Sequence, residues 1–107
     1  MDQIVLLYTT WPDAETAEAT AAEAVAERLA ACVNVLGSGR SIYRWQGAVE
    51  RAVETIAVFK TKASCVERLG ALIVSHHPYE NPAVAALPVA DQGSSQAYLT
   101  WLREETA

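Results

Sequence analysis

Residues 33–61 read VNVLGSGRSIYRWQGAVERAVETIAVFKT, and the reading of this stretch decides the fold. Val33 to Tyr43 and Val49 to Thr61 are rich in β-branched and aromatic residues, which suit extended strands. Between them stands Arg44-Trp45-Gln46-Gly47-Ala48, where Gly47 supplies the backbone freedom of a tight turn. The two segments therefore form a hairpin with arms of roughly eleven and thirteen residues, about twice the usual strand length. Arms of that length must project beyond the rest of a small sheet. Gly37 and Gly39 mark a bend or bulge in the first arm.

Outward from the hairpin, Ile4-Val5-Leu6-Leu7-Tyr8 is a short apolar run of strand formers, ended by Thr9-Thr10-Trp11-Pro12-Asp13. Asp13 is placed to cap a helix running to about Ala31, with Ala14, Ala17, Ala21, Val25 and Leu29 as its buried stripe. Small residues in that stripe let the helix lie close to a sheet, and Glu15, Glu18, Glu23 and Glu27 face water. On the far side of the hairpin, Val66, Leu69, Leu72 and Ile73 return to helical spacing over 64–76, and Pro78 stops that helix. Val84 to Val89 reads as a strand that Pro88 pushes toward a sheet edge or a break. A last helix over 95–104 places Tyr98, Trp101 and Leu102 on its inner face. The order is βαββαβ plus a C-terminal helix: an α+β fold with a ferredoxin-like antiparallel sheet, in one domain spanning 1–107.

Eight basic against thirteen acidic residues give a formal net charge of -5, which disfavours nucleic acid as a partner. No stretch is long and apolar enough for a membrane span, and the five-residue run at Ile4 is too short for a secretory leader. Cys32 and Cys65 make neither a disulfide framework nor a Cys-x-x-Cys pair, so a reducing cytoplasm is expected. No nucleophile–base pair, carboxylate pair or phosphate-cradling loop is recognisable, which predicts a protein without catalytic residues and without a required cofactor.

The strands are not amphipathic. Ile4 to Leu7 are all apolar, Ile56 and Val58 lie on the opposite side of their strand from Ala57 and Phe59, and Val84 to Leu87 repeat the pattern. Two helices cover one face of a ferredoxin-like sheet, so a second apolar face calls for further cover. Leaving a large aliphatic side chain in water forgoes about 1.5–3 kcal/mol. Another copy of the same sheet meets the need without extra sequence, and a homo-oligomer is expected.

Thr9-Thr10-x-Pro12, Leu29-Ala30-Ala31-Cys32-Val33-Asn34, Ser41-Ile42-Tyr43-Arg44-Trp45-x-Gly47, Lys60-Thr61, His76-His77-Pro78-Tyr79-Glu80-x-Pro82 and Tyr98-Leu99-x-Trp101 occur in this order. Together they resemble the CutA family. The resemblance implies a ferredoxin-like homotrimer related in fold to PII signalling proteins, with a role in tolerance of copper and other divalent cations. It also implies three copper-handling positions, which here are Thr9, His76 and Ala83. Only His76 retains a metal-binding side chain, because a threonine hydroxyl is a poor copper ligand and alanine is none. His76 and His77 are adjacent and diverge on a helix end, where a histidine also serves to bond free carbonyls.

The alternative expectation is a PII-like trimer that binds a small molecule without a metal role. Its inter-subunit pocket would use Lys60 for a small anion, Trp45 or Tyr79 as an apolar wall, and Glu54 or Glu80 as polar contacts.

Overall fold

The computed structural model describes residues 2–107. Strand β1 (Ile4–Trp11) leads to helix α1 (Ala14–Ala26), then the hairpin β2 (Cys32–Trp45) and β3 (Ala48–Lys62), helix α2 (Ala63–His76), strand β4 (Val84–Pro88) and helix α3 (Gln96–Glu104). The strands pair antiparallel in the order β2-β3-β1-β4, the ferredoxin-like arrangement expected from the element order. β1 lies inside the sheet, consistent with its unbroken apolar run, and β4 with Pro88 is an edge.

One face of the sheet carries the main core. Val5, Leu7, Trp11, Ala57 and Phe59 meet Ala17, Ala21 and Ala24 of α1 and Leu69 and Ile73 of α2. The alanines let α1 approach the sheet closely. Asp13 starts that helix, its carboxylate accepting the Thr16 N–H at 2.7 Å. This bond holds the Asp13 carboxyl below the usual carboxylate range.

The inner stripe of α1 differs from the expected one. It comprises Ala17, Thr20, Ala21 and Ala24, while Ala14 and Val25 are exposed. Thr20 can be buried because its hydroxyl donates to Thr16 O at 3.0 Å. The helix also stops at Ala26 rather than near Ala31, and Arg28 then turns the chain with a φ of 60°. Leu29 is still buried, but from the loop rather than from the helix.

The opposite face is only partly covered. α3 lays Leu99 and Leu102 over Ile4, with Cys32 and Val89 at the margin. Tyr98 and Trp101, expected inside, instead stack on each other at 5.9 Å and stay about two-fifths exposed. Leu99 and Leu102, three residues apart, set the face that docks, and this turns Tyr98 and Trp101 toward the rim.

The hairpin is longer than the sequence reading, running over 32–62 with its tip at Gln46-Gly47. Gln46 and Gly47 both have positive φ, 48° and 82°, as a two-residue hairpin turn of matching twist requires. Gly37 is the extra residue between the Leu36 and Ser38 pairings, so the expected bulge is present. The arms stretch the molecule to 44 × 28 × 22 Å, with a radius of gyration of 14.4 Å against about 13 Å for a compact chain of this length. Its accessible surface of 6445 Å² also exceeds the ~5,800 Å² typical of a monomer of this mass. Leu36, Ile42, Trp45, Val49, Val53 and Leu87 contribute to that excess.

Gly47→Ala forces a Cβ into the left-handed region and should lower stability by about 1 kcal/mol in denaturant unfolding, whereas Gln46→Asn, better suited to positive φ, should not. Equal midpoints for Gly47→Ala and the parent would contradict the turn geometry.

Candidate functional site

The end of α2 brings both histidines to a defined place. Pro78 forbids helical backbone at His77, which turns extended (ψ 133°) while its N–H still bonds Ile73 O and Val74 O. The two imidazoles therefore leave in different directions, as expected for neighbours on a helix end.

His77 goes inward. It is 7% exposed, stacks on Trp11 at 4.3 Å between centroids, and donates Nε2–H to Thr10 O at 2.7 Å. Its Nδ1 accepts the Tyr79 N–H at 3.2 Å, and this pair of contacts selects the Nε2–H tautomer. Trp11 Nε1 donates in turn to Thr9 Oγ1, and Thr9 Oγ1 donates to Ala57 O, both at 2.7 Å. Thr9 and Trp11 are fully buried, so the chain Trp11–Thr9–Ala57 satisfies polar atoms that water cannot reach.

His76 goes outward. Its Nε2 lies 3.2 Å from Glu23 Oε2, on a surface where both side chains are 42% exposed. Glu27, one turn on from Glu23, is the residue that caps the end of α1, and its carboxyl is pushed up by a hydrogen bond with Glu23, then by desolvation and by the like charge of Glu23. His76 opposes that shift.

The three copper-handling positions implied by the resemblance do not make a ligand set here. Thr9 is buried with its hydroxyl engaged on both sides, His76 faces solvent beside Glu23, and Ala83 has no donor atom. Among the described residues no group of three or more His, Cys, Asp or Glu side chains is placed to hold a metal ion.

The residues expected to line a pocket between subunits lie at several places within one protomer. Tyr79 packs obliquely on His77 at 4.8 Å and its hydroxyl reaches Glu54 Oε2 at 3.4 Å, so these two come together. Burial, and then the Glu54 charge, push the Tyr79 phenol above its ordinary value. Lys60 is elsewhere: it pairs with Leu6 across the sheet, and its Nζ donates to Tyr98 Oη of α3 at 2.9 Å. Trp45 is at the hairpin tip, six residues beyond the Gly39 that pairs with Glu54. Glu80 is exposed in the loop after α2.

Cys65 is buried, with its Sγ 3.0 Å from Ala107 O, and Cys32 packs beside Ile4 and Leu99 on the opposite face from His77; both are free thiols. Two contacts around the candidate residues escaped sequence reading, the Thr9–Trp11–His77 cluster and the Lys60–Tyr98 bond. The first had a signal, since Thr-x-Trp places both side chains on one face of a strand. The second links residues 38 apart through helix docking and had none.

An antiparallel βαββαβ sheet with an overlong hairpin and a third helix against its second face defines a class of small ferredoxin-like proteins. The family model described as the CutA1 divalent ion tolerance protein matches residues 5–105, and the chain belongs to that family. It is 42% identical over 106 residues, 99% of both chains, to the divalent-cation tolerance protein CutA of Thermus thermophilus, whose solved structure superposes with a TM-score of 0.88 over the full length of both chains. It is 37% identical to the chloroplastic protein CutA of Arabidopsis thaliana over 95% of this chain and 55% of the plant protein. The crystal structure of CutA1 from Oryza sativa matches with a TM-score of 0.92 and 33% identity, over 99% of this chain and 95% of that one. No helix among the described residues is long and apolar enough to cross a membrane.

Thr9→Val removes the acceptor of Trp11 Nε1 and the donor to Ala57 O while keeping the shape, and should cost about 1–3 kcal/mol. Thr9→Cys, which keeps a weak acceptor, should fall between the two in urea unfolding. A Thr9→Val protein as stable as the parent would show that the buried indole N–H finds another partner.

Proposed function

We propose that the protein is a CutA-type divalent-cation tolerance protein, acting in the cytoplasm as a homotrimer by binding rather than by catalysis. The observation that carries this reading is the family match over 5–105, together with relatives named for divalent-cation tolerance at 42% and 38% identity. The trimer is supported by the physical state of the sheet. Leu36 and Leu87 are about half exposed on the face left open by α3, and β2 and β4 are two unlike open edges. Unlike edges favour a head-to-tail contact, and such a contact either closes into a ring or runs on as a filament. In a ring, the exposed Trp45 at the hairpin tip would reach a neighbouring copy, and with it the Glu54–Tyr79 pair and Glu80 could line a contact between subunits.

The ion in this reading is Cu²⁺ or another divalent cation, and its contact with this chain is His76, beside the Glu23 carboxylate. A second reading, a PII-like trimer that binds a small molecule without a metal role, is favoured by a specific observation. Thr9 is committed to the core and Ala83 lacks a donor, so the family's ligand set is reduced to one imidazole.

Light scattering at micromolar concentration should give three times the chain mass, and a mass of one chain would sink the assembly. Calorimetric titration with Cu²⁺ should show a site that His76→Ala removes and Glu23→Gln weakens. Binding unchanged in His76→Ala rejects this histidine as the contact, and no binding by the parent protein favours the second reading.

A further inference from the structure

Between α3 and the sheet face opposite α1 and α2 lies a cavity of about 270 Å³. Its walls are apolar, formed mainly by Ile4, Leu6, Leu99 and Leu102, and it is open to solvent on one side. Ser94 and Ser95 at its rim use their hydroxyls on the chain itself: Ser94 donates to Ala90 O and Ser95 accepts from Tyr98 N–H. Lys60 does not share this closure. Its Nζ donates to Tyr98 Oη and sits 5.4 Å from the centre of that ring, and among the described residues no carboxylate comes within 4 Å of it.

An ammonium has three donors, and the Tyr98 contact uses one. Tyr98 Oη, accepting from Lys60, still has its own proton to give. The cavity thus presents a cation with spare donors, a phenol O–H beside it, and a hydrocarbon lining. That combination is complementary to an anion with an apolar body.

We propose that this cavity binds a small apolar monocarboxylate, aliphatic or aromatic. Its carboxylate meets Lys60 Nζ and Tyr98 Oη, and its hydrocarbon part lies among Leu6, Leu99 and Leu102. Three observations fix the class. One ammonium compensates one negative charge, and a chain of net charge -5 repels polyanions. The volume of about 270 Å³ lies at the small end of ligand sites, which begin near ~300 Å³, and suits a small hydrocarbon body. The named lining residues come from one protomer, and the cavity lies on the sheet face that a neighbouring copy would cover. The proposal rests on the small-molecule reading of the function and gives it a ligand class.

The test is calorimetric or saturation-transfer titration of the intact protein with benzoate and hexanoate, each set against its neutral counterpart, benzamide and hexanol. Both acids should bind, and the neutral compounds about tenfold or more weakly, the scale of one charged hydrogen bond. Lys60→Met should weaken the acids by a similar factor, Lys60→Arg should restore most of it, and Leu6→Phe, which fills the cavity without touching a charge, should abolish binding. Equal affinity for acid and neutral partner, no effect of Lys60→Met, or no binding by the parent protein would each overturn the proposal. Light scattering on the same samples separates the two questions. A single-chain mass with benzoate binding intact removes the trimer and keeps the pocket, whereas a trimer indifferent to benzoate removes the pocket alone.

Discussion

Ala57 and Phe59 leave β3 toward the helices, and Ile56 and Val58 leave the same strand on the other side; a sheet built on such strands needs apolar cover on both faces. The helices of one copy cover part of each face. α1 and α2 bury the first face as far as Thr55, beyond which Val53, Val49 and Ile42 of the hairpin stay exposed on that side, while α3, nine residues long, reaches only the end of the second face that holds Ile4. What it does not reach remains half exposed, at Leu36 and Leu87. At about 25 cal/mol per Å² of apolar surface, that exposure is a standing drive toward association. The hairpin works in the same direction, since strands that outrun their neighbours present backbone that no other strand among the described residues pairs.

The first face shows the opposite condition, with its buried polar atoms paired. Trp11 could have been a plain core aromatic, but an indole N–H in the interior needs an acceptor, and Thr9, two residues earlier on the same face, provides it. The hydroxyl then passes its own proton to Ala57 O on the neighbouring strand. His77 closes the stack from the helix end, joined to Thr10 O on one side and to Tyr79 N–H on the other. A position occupied in this way is structural. Thr9, one of the positions that the resemblance implies for copper, is thus a tied-in core residue whose hydroxyl is engaged on both sides.

Element order, hairpin, bulge and the end of α2 were legible in the sequence because each rests on local chemistry: a residue with permissive φ, a proline, a period of hydrophobic residues. The stripes of α1 and α3 were legible only in part. A helix rich in alanine offers little contrast between faces, so Thr20 and Ala24 could not be told from their neighbours before the sheet selected the inner side. For α3 the large aromatics drew the assignment, although Leu99 and Leu102 fill the space above Ile4 and the aromatics pack on each other. The candidate site was the least legible. His76 and His77 are adjacent in sequence but separated by burial, and Lys60 finds Tyr98 only after α3 folds back across the sheet.

Lys60 and Lys62 make the character of that second face concrete. They lie two residues apart on one strand, opposite Leu6 and Ile4, and both extend toward α3. Lys62 meets the helix where it ends, and its ammonium is taken up by Arg103 O and Thr106 O at 3.3 and 3.1 Å. Free carbonyls and the negative end of the helix dipole make that a good place for a cation. Lys60 meets the same helix in its first turn, where amide N–H groups and the positive end of the dipole prevail, and among the described residues its ammonium donates to a phenol oxygen alone. A single short helix thus satisfies one lysine and leaves its neighbour in want of an anion. Lys60 lines the cavity beside the positive end of α3, and its charge can be balanced by a carboxylate whose hydrocarbon part fills the apolar space.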